Sequence, residues 1–149
     1  MVRYSNKPDK IDEKILEILE ENARTPYTKI GELIGLSEAA VRKRIKKLEK
    51  IGVIKKYTIE IEYKALGYKI AWIGVDISPE SLLDVLDKIK KTKSVKNIYA
   101  SFGDHDIMIE FLFKEQEELN SFIKKLEKIK GIVRICPAIL IEKIQVNND

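Results

Sequence analysis

The stretch ASFGDHDIMIEF, residues 100–111, places the only histidine of the chain between two aspartates. Gly103-Asp104-His105-Asp106 admits three chemical readings: metal ligands, an acid–base pair, or a polar turn between strands. A metal needs side chains that converge, whereas adjacent strand residues point to opposite faces. With one histidine, two neighbouring carboxylates cannot close a zinc shell without distant ligands. Nucleophilic catalysis needs a nucleophile, a base and an orienting group, and nothing spaced around His105 supplies that set. No catalytic residue, metal or cofactor is therefore expected. In the turn reading, Gly103 provides the bend and an aspartate bonds back to the backbone, with His105 a bystander. Cys136 is the only thiol, so it cannot form an intramolecular disulfide, and a buried structural role is expected of it.

A second constellation is basic. Residues 38–56 carry eight Lys or Arg against two Asp or Glu, in a chain whose net charge is only +4. Charge concentrated in so short a segment suggests an anionic partner at that place. Hydrophobic content of 44% and charged content of 35% describe a globular, well-solvated chain. No stretch approaches the ~20 apolar residues of a membrane helix. The opening MVRYSNKPDKIDEK lacks the apolar core of a signal peptide, so a reducing, cytoplasmic setting without membrane contact is expected.

The elements that must position these groups follow from periodicity. Ile11, Ile15, Ile18 and Leu19 recur at helical spacing after Asp9 or Asp12, and Pro26 closes the run. A short helix from about Thr28 carries Ile30, Leu33 and Ile34. Gly35-Leu36-Ser37 then makes a corner, with Gly35 ending one helix and Ser37 capping the next. In the third helix, Val41, Ile45 and Leu48 share one face. Ala39, Lys43, Lys46, Lys47 and Lys50 fall opposite, with Arg42 and Arg44 on the flanks. A short helix, a glycine corner and a helix with a basic outer face make a helix-turn-helix. Its lysines and arginines would neutralise phosphates, and its leading alanines would let the backbone approach base edges.

Beyond Gly52, Val53 to Ile61 alternates in the manner of a strand, and with the 63–67 turn it forms the expected hinge between two halves. IAWIGVDI then reads as a strand. A helix opened by Pro79 follows, carrying Leu82, Leu83, Leu86 and Ile89. Two strands come next, at 95–102 and 107–113, then a helix with Leu119, Phe122, Ile123 and Leu126. Residues 132–144 close as a strand broken near Pro137. The order βαββαβ is the ferredoxin-like arrangement, whose open sheet face and edges invite a dimer. Trp72 and the strand tyrosines are expected in core or dimer packing. The fold class is thus α+β. A winged-type helix-turn-helix domain spans 1–62, with its motif at about 28–50. A hinge strand joins it to a ferredoxin-like domain spanning 63–149.

The run IDEKILEILEENARTPYTKIGELIGLSEAAVRKRIKKLEKIGVIKKYTIEI resembles the DNA-binding half of the Lrp/AsnC, or feast/famine, regulators. The later residues resemble their effector-binding and oligomerisation domain, whose mark is the Gly-x-x-Asp turn, here Gly103 to Asp106. The resemblance implies a sequence-specific transcription regulator, not an enzyme, built from homodimers that assemble further. It implies that Ser37, Ala39, Ala40, Arg42, Lys43 and Arg44 face double-stranded DNA, beside Lys46 and Lys47 of the same basic face. It implies too that Ser101, Gly103, Asp104 and Asp106 line or shape a cleft for a small effector such as an amino acid. The acidic turn would suit a basic one, for example lysine, by charge complementarity. The family often carries threonines early in the last strand, where this chain has Ile135-Cys136-Pro137-Ala138, and that leaves the effector's identity open. A low-specificity architectural protein that coats DNA under ligand or assembly control is the alternative function.

Overall fold

A computed structural model describes residues 7–144 and divides the chain into two compact units, parting after Glu60. The first unit is three helices: α1 (Lys10–Glu21), α2 (Tyr27–Ile34) and α3 (Glu38–Lys50). Asp9 caps α1, its carboxylate accepting from the amides of Ile11 and Asp12, while the Asp12 side chain accepts from the Asp9 amide. This reciprocal box satisfies backbone donors that a helix start otherwise leaves unpaired. Pro26 precedes the first residue of α2, where its missing N–H costs nothing. Ile15, Leu19, Ile30, Val41 and Ile45 interlock as the core, with Leu48 also fully buried. Each such side chain contributes about 1.5–3 kcal/mol of burial.

The corner between α2 and α3 forms as its residues require. Gly35 takes the left-handed conformation at φ 73°, and the Ser37 hydroxyl accepts from the Ala40 amide at 3.2 Å. Gly31 lets the chain close on itself. The Leu36 amide donates to the Gly31 carbonyl at 2.9 Å, and a methyl group on Gly31 would collide with the Leu36 carbonyl.

Beyond α3, residues 55–62 form no strand, contrary to the alternating pattern of the sequence. A strand exists only by pairing, and an alternating stretch without a neighbouring strand has no ladder to join. The Tyr57 hydroxyl instead donates to Glu49 of α3 at 2.7 Å, and partial desolvation together with that carboxylate pushes the phenol up to about 12, though the residue stays half exposed. Tyr63–Leu66 is a single 3₁₀ turn ended by Gly67 at φ 78°.

The second unit is a four-stranded antiparallel sheet with two helices, in sequence β1 (Lys69–Ile77), α4 (Leu82–Ile89), β2 (Val95–Ala100), β3 (Ile107–Phe113), α5 (Gln116–Glu127) and β4 (Ile132–Ile139). The strand order is β2-β3-β1-β4. Both helices pack on one face, where Ala71, Ile73 and Val75 of β1 and Ile107, Ile109 and Phe111 of β3 meet Val85, Ile89, Phe122 and Leu126. Phe111 stacks on Phe122 with centroids 4.3 Å apart. The other face stays open and carries Trp72 stacked on Tyr99 at 5.4 Å, so this tryptophan packs on the sheet surface and not in the core.

Leu33, expected on the apolar stripe of α2, is 58% exposed, and three further local expectations need correction. Leu83 is 76% exposed, because the inner face of α4 is set by Leu82, Val85, Leu86 and Ile89. Pro137 does not break β4; it pairs with Ile73 inside the strand. β4 is an edge strand, and a proline with no donor to offer is tolerated there. Cys136 is half-buried on the open face, opposite Gly74, and not in the core.

Candidate functional site

Two groups of polar side chains stand out, one in each unit. On α3 the basic outer face is as the helical wheel requires. Ser37, Glu38, Ala39, Arg42, Lys43 and Lys46 line an open depression of about 700 Å³. Ala39 is exposed and Ala40 half-buried behind it. Lys43, Lys46, Lys47 and Lys50 form no ion pair with any described residue; Lys43, Lys46 and Lys50 are exposed and Lys47 half-buried. Arg42 is steadied at both ends. Its guanidinium lies 5.3 Å from the Tyr27 ring centroid and pairs with Glu38 one turn back, while remaining half exposed.

Arg44 is the exception. Its Nη1 reaches the Asp9 carboxylate at 2.8 Å and Asp12 Oδ1 at 2.7 Å, and Asp12 is fully buried. The guanidinium therefore bolts α3 to the start of α1 and is turned away from the basic face. Its hydrogen bond holds Asp9 below the ordinary carboxylate range. The helical wheel put Arg44 on a flank but could not show that an acidic helix start lay beside that flank.

In the second unit the Gly103–Asp106 turn joins β2 to β3. Gly103 has φ 137°, a backbone that side chains with a Cβ rarely adopt. The turn is laced at its base. The Ser101 amide donates to the Asp106 carbonyl at 2.9 Å, and the Ser101 hydroxyl donates to the His105 carbonyl at 2.7 Å. Asp106 ties it to β1: its amide donates to the Val75 carbonyl at 3.1 Å, and its carboxylate accepts from the Ile77 amide at 2.7 Å. That carboxylate is a structural acceptor.

Asp104 and His105 belong to a four-residue network. Arg134 of β4 donates through Nε to Asp76 at 2.5 Å and through Nη2 to the Asp104 carboxylate and carbonyl at 2.8 and 2.9 Å. His105 Nδ1 lies 2.8 Å from Asp76 Oδ1, and Nε2 lies 3.4 Å from Asp104 Oδ2. The ring covers Gly74, where any Cβ would collide with it. His105 is thus no bystander but a packed, doubly partnered member of the turn. The guanidinium holds both Asp76 and Asp104 below the usual carboxylate range, and they raise Arg134 in return. Asp104 stays 77% exposed at its side chain, so one edge of the pair faces solvent. Among the described residues no set of three His, Cys, Asp or Glu side chains is placed to hold a metal.

Sequence reasoning missed Asp76, Gly74 and Arg134. A glycine inside a strand pattern marks a close approach, so Gly74 was a readable signal. The pairing of Arg134 with a turn 30 residues earlier was not.

Comparison with known proteins places both units. Residues 9–49 match the AsnC-type helix-turn-helix domain, and residues 70–147 match the Lrp/AsnC ligand binding domain. The HTH-type transcriptional regulator LrpA of Pyrococcus abyssi is 46% identical over 139 residues, covering 92% of this chain and 99% of its own. LrpA of Pyrococcus horikoshii is 47% identical over the same shares. Among solved structures, AsnC of E. coli has the same architecture at TM-score 0.81 and 26% identity, over 97% of this chain and 99% of that one. No helix among the described residues is long and apolar enough to cross a membrane.

Proposed function

Because the chain belongs to the Lrp/AsnC family of transcriptional regulators, we propose that it reads DNA with the outer face of α3 and is controlled by a small effector at the β2–β3 turn. The observation that carries the DNA half is the row of lysines on α3 that form no ion pair among the described residues. Lys43, Lys46 and Lys47 contact phosphates, and Ala39, Ala40 and Arg42 approach base edges, with Ser37 fixing the helix start. Arg42 is offered by Tyr27 and Glu38 in a set direction, which reduces the ordering cost of a base contact. Arg44 is left out of this set, since its guanidinium is engaged by Asp9 and Asp12. Dimers place two such helices about one helical turn of ~34 Å apart on a pseudo-palindromic site. The open sheet face with its Trp72–Tyr99 stack is the surface we assign to that dimer.

The effector half rests on the Asp104–Arg134 pair, which presents a carboxylate and a guanidinium side by side at the exposed turn. An α-amino acid carries the complementary pair, an ammonium for Asp104 and a carboxylate for Arg134. Arg134 is shared between Asp76 and Asp104, and the Asp104–Arg134 pair recognises the ammonium and carboxylate common to every amino acid, so the ligand class is an amino acid and no narrower. Ser101, Gly103 and Asp106 shape this site through the backbone and do not grip the ligand.

A thermal-shift panel of the twenty amino acids tests the reading. A ligand that binds only the folded chain stabilises it by about 2.7 kcal/mol at a hundredfold excess over Kd. At least one amino acid should raise the melting temperature, and Asp104→Ala should remove that shift. Silence from all twenty, or an equal shift in Asp104→Ala, would contradict it.

A further inference from the structure

The second unit is nearly neutral as a whole, with fourteen basic and thirteen acidic residues over 63–149. That average hides a strong local imbalance. Residues 87–96, DKIKKTKSVK, hold five lysines and one aspartate, which leaves nine basic against twelve acidic in the remainder. Lys88, Lys90, Lys91, Lys93 and Lys96 are all exposed. Lys88, Lys90, Lys91 and Lys93 make no ion pair with a described residue, even in a chain this rich in glutamate.

The segment that carries them is not slack. The Lys90 amide donates to the Leu86 carbonyl at 2.9 Å, Thr92 to Ile89 at 3.0 Å and Val95 to Thr92 at 3.1 Å. The Ser94 carbonyl accepts from the Leu112 amide at 2.8 Å, which ties the loop to β3. Lys90 and Lys96 flank a groove of about 290 Å³ along edge strand β2, floored by Val95, Asn97 and Ile98. Lys96 rests 5.3 Å over the Tyr63 ring. On the β3 side the Glu110 carboxylate accepts from the Asn97 amide group at 2.6 Å, so the lysine cluster is bounded there by an acidic group.

Ordinary structural roles cover part of this. Lys88 and Lys90 complement the negative end of α4, and Lys96 protects an exposed strand edge. Lys91 and Lys93 answer to neither need. Both are solvated charges on a pinned loop, free to neutralise an approaching polyanion.

We infer that the lysine-rich α4–β2 loop is a second DNA-contacting surface, which holds the phosphate backbone of duplex DNA. This role rests on the DNA-binding reading of the first unit, which brings a polyanion to the protein. Like any phosphate contact it is indifferent to sequence, and it adds to the salt dependence of binding.

The test uses the full chain and a mixed-sequence duplex of about 60 base pairs, followed by fluorescence anisotropy over a salt series. Lys90→Gln, Lys91→Gln and Lys93→Gln together should lower the slope of log affinity against log salt by about 2–3, at roughly 0.9 for each phosphate no longer neutralised. The corresponding Lys→Arg triple should restore it. An unchanged slope in the Gln triple would overturn the inference, as would a reduction that arginines fail to restore. So would a reduction seen on single-stranded RNA but not on the duplex. Arg42→Ala with Lys43→Ala runs in parallel: if only that variant weakens binding, α3 keeps its role and the loop makes no contact with DNA.

Discussion

Arg42 and Arg44 stand two positions apart on one helix, and their neighbours give them opposite duties. Arg42 leans on Tyr27 and Glu38 and stays half exposed; Arg44 is held by Asp9 and by the fully buried Asp12. Removing one partner of a buried pair leaves the other charge without compensation. Arg44→Ala should therefore cost on the order of 3 kcal/mol in the helical unit, visible as a lower melting temperature, with the salt slope of DNA binding unchanged. A lower slope at full stability would return Arg44 to the DNA-contacting set. The Arg134 network makes a pH prediction at the same scale. Arg134 holds Asp76 and Asp104 below the ordinary aspartate value of 3.8. On acidification the unfolded chain takes up protons first, so this stabilisation is complete at neutral pH and is lost as pH falls below about 4. Arg134→Gln should accordingly show a smaller drop in melting temperature between about pH 6 and pH 3 than the parent chain. Equal drops would mean that the network carries no linked stability.

At the scale of elements, the α2–α3 corner depends on a glycine inside a helix. Alanine is intrinsically favoured over glycine there by about 1 kcal/mol. At position 31 its methyl group would meet the Leu36 carbonyl, a backbone group with no rotamer to yield. Overpacking of that kind costs about 1–3 kcal/mol, so Gly31→Ala should destabilise the unit in a thermal melt despite its propensity. A stabilised variant would show that the corner relaxes freely. Helices and strands were readable wherever burial imposes a period: Ile15 and Leu19, Val41, Ile45 and Leu48, or Ile107, Ile109 and Phe111. The period failed where nothing in the chain answers it, as at residues 55–62, whose alternation found no strand to pair with. It failed also at Pro137, where a local rule against proline gave way to an edge position that only the sheet order reveals. For the sites, the lysines of α3 were legible because one helix fixes their common face. The partners of Asp104 and Arg44 were not, because they lie 30 and 32–35 residues away in sequence.

For the whole molecule, the first unit matches a helix-turn-helix domain and the second a ligand binding domain. Charge is distributed to match. Residues 38–56 present eight basic against two acidic groups, and at the β2–β3 turn Arg134 pairs with both Asp76 and Asp104. Transcriptional regulation by this chain therefore turns on whether the outer face of α3 is the surface that meets DNA. The most direct measurement is duplex affinity against salt concentration for the parent chain and for Arg42→Ala with Lys43→Ala, both checked for intact folding by circular dichroism. The double variant should bind more weakly at every salt concentration, with a slope lower by about 1, as expected when the phosphate held by Lys43 is no longer neutralised. An unchanged affinity and an unchanged slope would place the DNA elsewhere on the protein.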